Sequence, residues 1–119
     1  MRSDIFRDQV VIVTGASAGI GRSLALQLAK QGAKVALAGR RVDRLEQTAA
    51  ECRVLGGEIL VVQTDVSDET QCKALIEKTV TAFGRLDMLI NNAGLAASAL
   101  FDEFPDLGLF KHTIDMWRN

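Results

Sequence analysis

Apolar and polar positions along this chain follow two alternating patterns. Short, nearly unbroken runs rich in Val, Leu and Ile occupy residues 10–13, 34–38, 58–63 and 86–90. Runs of that length with little alternation predict strands buried on both faces. Between them lie stretches with helical spacing. The first, residues 19–31, sets Ile20, Leu24 and Leu28 on one face and stops at Gly32. The second, residues 42–55, turns Leu45, Ala49 and Cys52 inward and ends at Gly56 and Gly57. The third follows Ser67, its expected N-cap, with Asp68 and Glu69 in the first turn where the helix dipole favours them. Its stripe is Cys72, Leu75, Ile76, Thr79 and Phe83, and Gly84 closes it. Residues 93–109 are the least regular and hold the one proline, Pro105. Residues 111–119 predict the beginning of another helix, with Ile114 and Trp117 apolar three positions apart.

Strands that alternate with helices predict a parallel sheet joined by right-handed crossovers. The expected architecture is α/β, a doubly wound Rossmann-type sheet in three α/β/α layers with spatial order 3-2-1-4, formed by residues 1–119 as one domain. In that order the crevice falls at the carboxyl ends of the first and fourth strands. A sheet ending at the fourth strand leaves that edge unpaired, a template for aggregation. Poor solubility, or a partner over that edge, is therefore expected.

The first strand runs into Thr14-Gly15-Ala16-Ser17-Ala18-Gly19-Ile20-Gly21. The spacing G-x-x-x-G-x-G sits between a strand and a helix, where a nucleotide pyrophosphate is held. One glycine turns the strand, one lets the backbone approach the phosphates, and the last lets helix and strand pack closely. Unpaired amides at the helix start point at the anion. A tight turn with no ligand is the plain alternative. The Thr14 and Ser17 hydroxyls either donate to the ligand or satisfy the turn.

Three further strand ends carry candidate chemistry. After the second strand, an acidic residue normally binds a free ribose 2′-hydroxyl. Here Gly39 stands at that place and Arg40 and Arg41 follow. Two guanidiniums suit a 2′-phosphate, which favours NADP over NAD. The alternative is that Arg40, Arg41 and Arg44 form a solvated helix start, although positive charge opposes the helix dipole there. After the third strand, Asp65 can accept from an adenine amino group while Val66 packs on the ring; Asp65 as a helix cap is the alternative. After the fourth, Asn91-Asn92-Ala93-Gly94 lets a ribose approach small residues while the asparagines tie the strand end to a neighbouring loop. A simple turn is the alternative.

Composition narrows the class. The 119 residues are 48% hydrophobic and 24% charged, with net charge −1, an ordinary globular balance that gives no reason to expect nucleic acid or an anionic membrane as partner. No apolar run approaches the ~20 residues of a membrane span. The charged start, residues 1–8, does not read as a signal peptide, so a cytoplasmic location is expected. Cys52 and Cys72 read as buried thiols, with a disulfide or a reactive thiol as the other reading.

Together, Thr14 to Gly21, Asp65-Val66 and Asn91-Asn92-Ala93-Gly94 closely resemble the short-chain dehydrogenase/reductase family. The resemblance covers about residues 8 to 94, and residues 84–90 are similar to the family as well. It implies a nicotinamide dinucleotide, hydride transfer with a small carbonyl or alcohol substrate, recognition of a 2′-phosphate by Arg40, and a homo-oligomeric full-length form. Ala18 departs from the pattern, because many NADP-dependent members carry Lys or Arg there; the NADP preference then rests on Arg40 and Arg41.

Catalysis departs further. The family uses a serine, a tyrosine, a lysine four residues after the tyrosine, and an assisting asparagine. This chain has no tyrosine and a single histidine, His112. Ser98 follows the asparagine motif too closely to be the catalytic serine. The assisting asparagine usually lies further beyond a tryptophan like Trp117 than Asn119 does. His112 reads as an ordinary surface residue. No catalytic or metal-binding role is assigned to any of the 119 residues. They read as the cofactor-binding half of a longer oxidoreductase, inactive by themselves. A non-catalytic nucleotide-binding or regulatory module is the second reading, and a structural domain with an empty crevice the third.

Overall fold

The computed structural model describes residues 5–93 and, as backbone, residues 112–115. Its elements run β1 (Val10–Thr14), α1 (Gly19–Lys30), β2 (Lys34–Gly39), α2 (Val42–Val54), β3 (Glu58–Gln63), α3 (Glu69–Phe83), β4 (Met88–Asn91) and β5 (His112–Asp115). The strands form one parallel sheet in the order β3-β2-β1-β4-β5. The expected 3-2-1-4 order and doubly wound α/β architecture are therefore present.

The alternation of a strand explains why β1 is apolar from Val10 to Val13. Val11 and Val13 enter the core beneath α1 and α2 with Ala25, Leu28, Leu45 and Ala49. Val10 and Ile12 enter the opposite core with Cys72, Leu75 and Ile76 of α3. Both faces are covered, so no residue of β1 has any exposed surface.

Four expectations need correction. Residues 112–115 form a strand, not the start of a helix, and pair with β4 from Met88↔His112 to Asn91↔Asp115. Long-range pairing along an open strand outweighs the weak i, i+3 signal of Ile114 and Trp117. The β4 edge is consequently covered, and the aggregation argument built on it falls. Ile20 is 58% exposed and does not share the inward face of α1, which is Gly21, Ala25, Leu28 and Ala29. Within that face the helix comes so close to its surroundings at Gly21 that a Cβ there would meet the Gly15 carbonyl oxygen. Finally, Asp68 rather than Ser67 caps α3, accepting the Gln71 N–H. Residues 94–111 and 116–119, including Gly94, Ser98, Trp117 and Asn119, lie outside the described residues.

The two thiols are free and buried, as one of their two readings had it. Burial pushes the Cys72 thiol up to about 11, with Asp68 and Asp65 adding to the effect. Cys52 is raised as well, chiefly by burial.

Candidate functional site

The glycine turn is held from two sides. Gly15 and Gly19 have φ of 64° and 60°, where a side chain would be strained. A Cβ on Gly21 would lie 2.2 Å from the Gly15 carbonyl oxygen and 2.8 Å from Asn92 Nδ2, so only glycine lets α1 meet the turn this closely. From α2, the Thr48 hydroxyl donates to the Ala16 carbonyl at 3.2 Å. From the end of β4, Asn92 Nδ2 donates to the Gly15 carbonyl at 3.3 Å.

Thr14 turns its hydroxyl to the end of β4. It is fully buried. Its hydroxyl donates to Asn91 Oδ1 at 3.0 Å and accepts the Asn92 N–H at 2.9 Å. The asparagines thus tie β4 to β1, and Asn92 also reaches the neighbouring loop at Gly15, where a tie was expected. Thr48, absent from the sequence-level site, carries no signal beyond being a polar residue on an otherwise apolar helix face.

Ala18 stands at the N-cap of α1 with no side chain to cap it, and no acidic residue follows in the first turn. The first amides of an α-helix lack intrahelical acceptors. At α3, by contrast, the Asp68 carboxylate fills that role. Ile20 is exposed beside this uncapped end.

A crevice of about 250 Å³ opens at the carboxyl edge of the sheet. Gly15 and Ser17 line it from the turn, and Gly39, Arg40 and Arg41 from the end of β2. Thr64 and Val66 close it after β3 and Ala93 after β4, so four strand ends contribute. Thr64 was not expected; its hydroxyl donates to the Val62 carbonyl at 3.0 Å and its N–H to the Gly39 carbonyl at 2.8 Å. Arg41 is the N-cap of α2, again without a side-chain cap, and lies 3.6 Å from Asp43. Arg40 extends over the crevice with its side chain 74% exposed, 3.8 Å from Asp65 Oδ1.

Asp65 is built in place. Its Oδ1 accepts the Ser67 hydroxyl at 2.6 Å and the Ser67 N–H at 3.0 Å, and its own N–H donates to Gln71 Oε1 at 2.7 Å. These Ser67 hydrogen bonds, with a smaller contribution from Arg40, hold its carboxyl below the usual carboxylate range. Below β4, buried Asp87 accepts the Val10 N–H at 2.9 Å and the Arg85 guanidinium at 2.6 Å, anchoring β4 against the start of β1.

A strand-to-helix turn with positive-φ glycines thus shares one crevice with two guanidiniums. A family model described as short chain dehydrogenase matches residues 9–116. The chain belongs to the short chain dehydrogenase family. It is 47% identical over 100 residues to "11-beta-hydroxysteroid dehydrogenase-like 2" of Arabidopsis thaliana, an alignment covering 83% of this chain and 32% of that protein. It is 45% identical over 109 residues to the 11-beta-hydroxysteroid dehydrogenase of Pinus massoniana, covering 91% and 31%. The chain thus spans about a third of the length of these relatives. Among solved structures it resembles glucose dehydrogenase of Caenorhabditis elegans in the apo form, with TM-score 0.77, 34% identity, and 83% and 49% of the two chains covered. It also resembles a family member from Burkholderia phymatum solved in complex with NAD, with TM-score 0.72, 39% identity, and 76% and 32% covered. Family membership carries NAD(P) binding in the Rossmann fold. Among the described residues, no helix is long and apolar enough to cross a membrane, and no group of three or more His, Cys, Asp or Glu side chains is placed to hold a metal ion.

Proposed function

We propose that this chain is the dinucleotide-binding half of an NADP-dependent oxidoreductase, one that passes a hydride between the nicotinamide and a small carbonyl or alcohol substrate. One observation carries the reading. The acidic place at the end of β2 is taken by Gly39, and Arg40 and Arg41 line the same crevice as the glycine turn. When bound, the nicotinamide supplies or accepts the hydride. The protein's own part is to hold the dinucleotide: the turn and the uncapped start of α1 receive the pyrophosphate, Arg40 and Arg41 the 2′-phosphate, Asp65 and Val66 the adenine, and Asn92, Ala93 and Gly94 the ribose. Relatives named for hydroxysteroids and for glucose both resemble the chain, so the reading stops at the class of carbonyl and alcohol.

Calorimetric titration of the chain with NADPH and NADH tests this. Tighter uptake of NADPH is expected, and uptake of neither coenzyme overturns the reading. The 119 residues by themselves are expected not to oxidise NADPH with any carbonyl, because they contain no tyrosine to move the proton. The second reading is a non-catalytic nucleotide-binding or regulatory module. Coenzyme binding with no turnover, even when the chain is supplied within its longest natural polypeptide, would select that reading.

A further inference from the structure

Arg40 and Asp65 face each other across the mouth of the crevice with unequal freedom. The carboxylate is fixed: both Ser67 donors hold Oδ1, and Gln71 holds the Asp65 N–H. The backbone beneath Arg40 is fixed too, its carbonyl accepting Gln63 Nε2 at 3.3 Å. The Arg40 side chain is not. It is 74% exposed, and its Nη2 stands 3.8 Å from an oxygen that already accepts two hydrogens. At that distance the contact is an electrostatic pairing and not a hydrogen bond. The guanidinium therefore rests against a charge built into the loop after β3, and that charge competes for it with any other anion it engages.

We infer that Asp65 is a specificity-determining residue whose carboxylate competes with a 2′-phosphate for the Arg40 guanidinium, and so holds down the preference of the site for a 2′-phosphorylated dinucleotide. The inference rests on the proposed role of Arg40. The adenine contact proposed for Asp65 is common to both coenzymes and cancels in their ratio; the competition does not. An exposed pair is worth little, so neutralising Asp65 raises the ratio by about two- to fivefold. Salt screens the effect.

The probes are adenosine 2′,5′-bisphosphate and adenosine 5′-monophosphate, which differ only in the 2′-phosphate. Their affinities for the full 119-residue chain are compared in the parent, Asp65→Asn, Arg40→Ala and the double variant. Asparagine keeps an acceptor for both Ser67 donors, and Asp65→Ser serves as a second neutral variant should Asp65→Asn fail to fold. The expected result is a ratio that rises in the neutral Asp65 variant, rises less in high salt, and does not rise when Arg40 is already alanine. A ratio that Arg40→Ala lowers but Asp65→Asn leaves unchanged or lowers overturns this inference alone. A gain that persists without Arg40 also overturns it, because the carboxylate then acts directly on the phosphate. A parent ratio near unity, unmoved by Arg40→Ala, overturns the reading of Arg40 and this inference with it.

Discussion

The Thr14 hydroxyl and the Asn91 amide oxygen, 77 residues apart in sequence, are joined by a buried hydrogen bond of 3.0 Å. The same hydroxyl accepts the Asn92 N–H at 2.9 Å, so one oxygen fastens the exits of β1 and β4 together. The crevice opens where those two strands and β2 and β3 end. Its shape depends on their staying in register, and this contact supplies that restraint from below.

Replacing Thr14 with valine keeps the shape and removes both hydrogen bonds. Asn91 Oδ1 still accepts the Ala93 N–H at 3.3 Å, so the main loss falls on the Asn92 N–H, and Thr14→Val is expected to destabilise the chain by about 1–3 kcal/mol. Urea unfolding checks this. A loss below a few tenths of a kcal/mol would show that the strand exits are held by other contacts.

Glycines in the turn differ in what they tolerate. Gly21→Ala sets a Cβ 2.2 Å from the Gly15 carbonyl oxygen, and backbone must move to admit it. A cost of about 3 kcal/mol or more is expected, with coenzyme binding lost. Gly19→Ala meets nothing within 4 Å and carries only the strain of φ 60°, about 1–2 kcal/mol. Thermal melting of the two variants side by side tests the ranking; equal losses would refute the close-packing account of Gly21.

Arginine replacement separates the coenzymes. A charge-assisted contact to a 2′-phosphate contributes about 1.5–3 kcal/mol, or roughly 10- to 150-fold in affinity. Arg40→Ala is expected to weaken NADPH by a factor toward the lower end of that range, because the side chain is largely exposed. NADH should be nearly unaffected. Calorimetry with both coenzymes decides it, and an equal loss for both would remove Arg40 from 2′-phosphate recognition.

Acid should release the loop after β3. Hydrogen bonds from Ser67 lower the folded Asp65 pKa beneath its ordinary 3.8. The sign follows: the folded state binds this proton less tightly, so the contribution to stability is present above about pH 4 and is lost as pH falls through the folded value. Ser67→Ala removes the hydroxyl donor and should bring the carboxyl back toward its ordinary value. Carboxyl titration by NMR measures both, and an unchanged midpoint in Ser67→Ala would contradict the assigned cause.

The thiols give the opposite dependence. Cys72 is raised from 9.0 to about 11, so its contribution is fully present below pH 9 and is lost as pH rises through the folded value. At pH 8 its thiolate fraction is about 100-fold below that of a free thiol, and burial blocks access further. Cys72 and Cys52 should react with a thiol reagent only as the chain unfolds. Rapid modification of the native protein would place them at the surface.

Much of this was legible in the order of residues. Strands buried on both faces cannot alternate apolar with polar side chains, so 10–13 and 34–38 stood out as solid runs; 58–63 read the same way, but β3 lies at the edge of the sheet and of its residues only Val62 is buried. A turn that must reach positive φ and admit a helix at close range accepts only glycine, which marked Gly15, Gly19 and Gly21 without any view of the fold. At the end of β2, Gly39 takes the place an acid normally holds and Arg40 and Arg41 follow, and the proposed 2′-phosphate contact rests on that local pattern. What the order of residues left open depended on partners distant in the chain. The strand at His112–Asp115 exists because β4 offers an open row of hydrogen-bonding groups, which its own short apolar pattern does not announce. Ile20 turned outward because α1 buries the face of Gly21, Ala25, Leu28 and Ala29 instead. Thr14, Asn91, Thr48 and Ala16 meet only after the sheet has assembled, and so do Arg40 and Asp65. Periodicity and backbone preference act over a few residues and are written locally; a hydrogen bond or charge pairing across strands is decided by packing, which fixes distances that sequence separation does not encode.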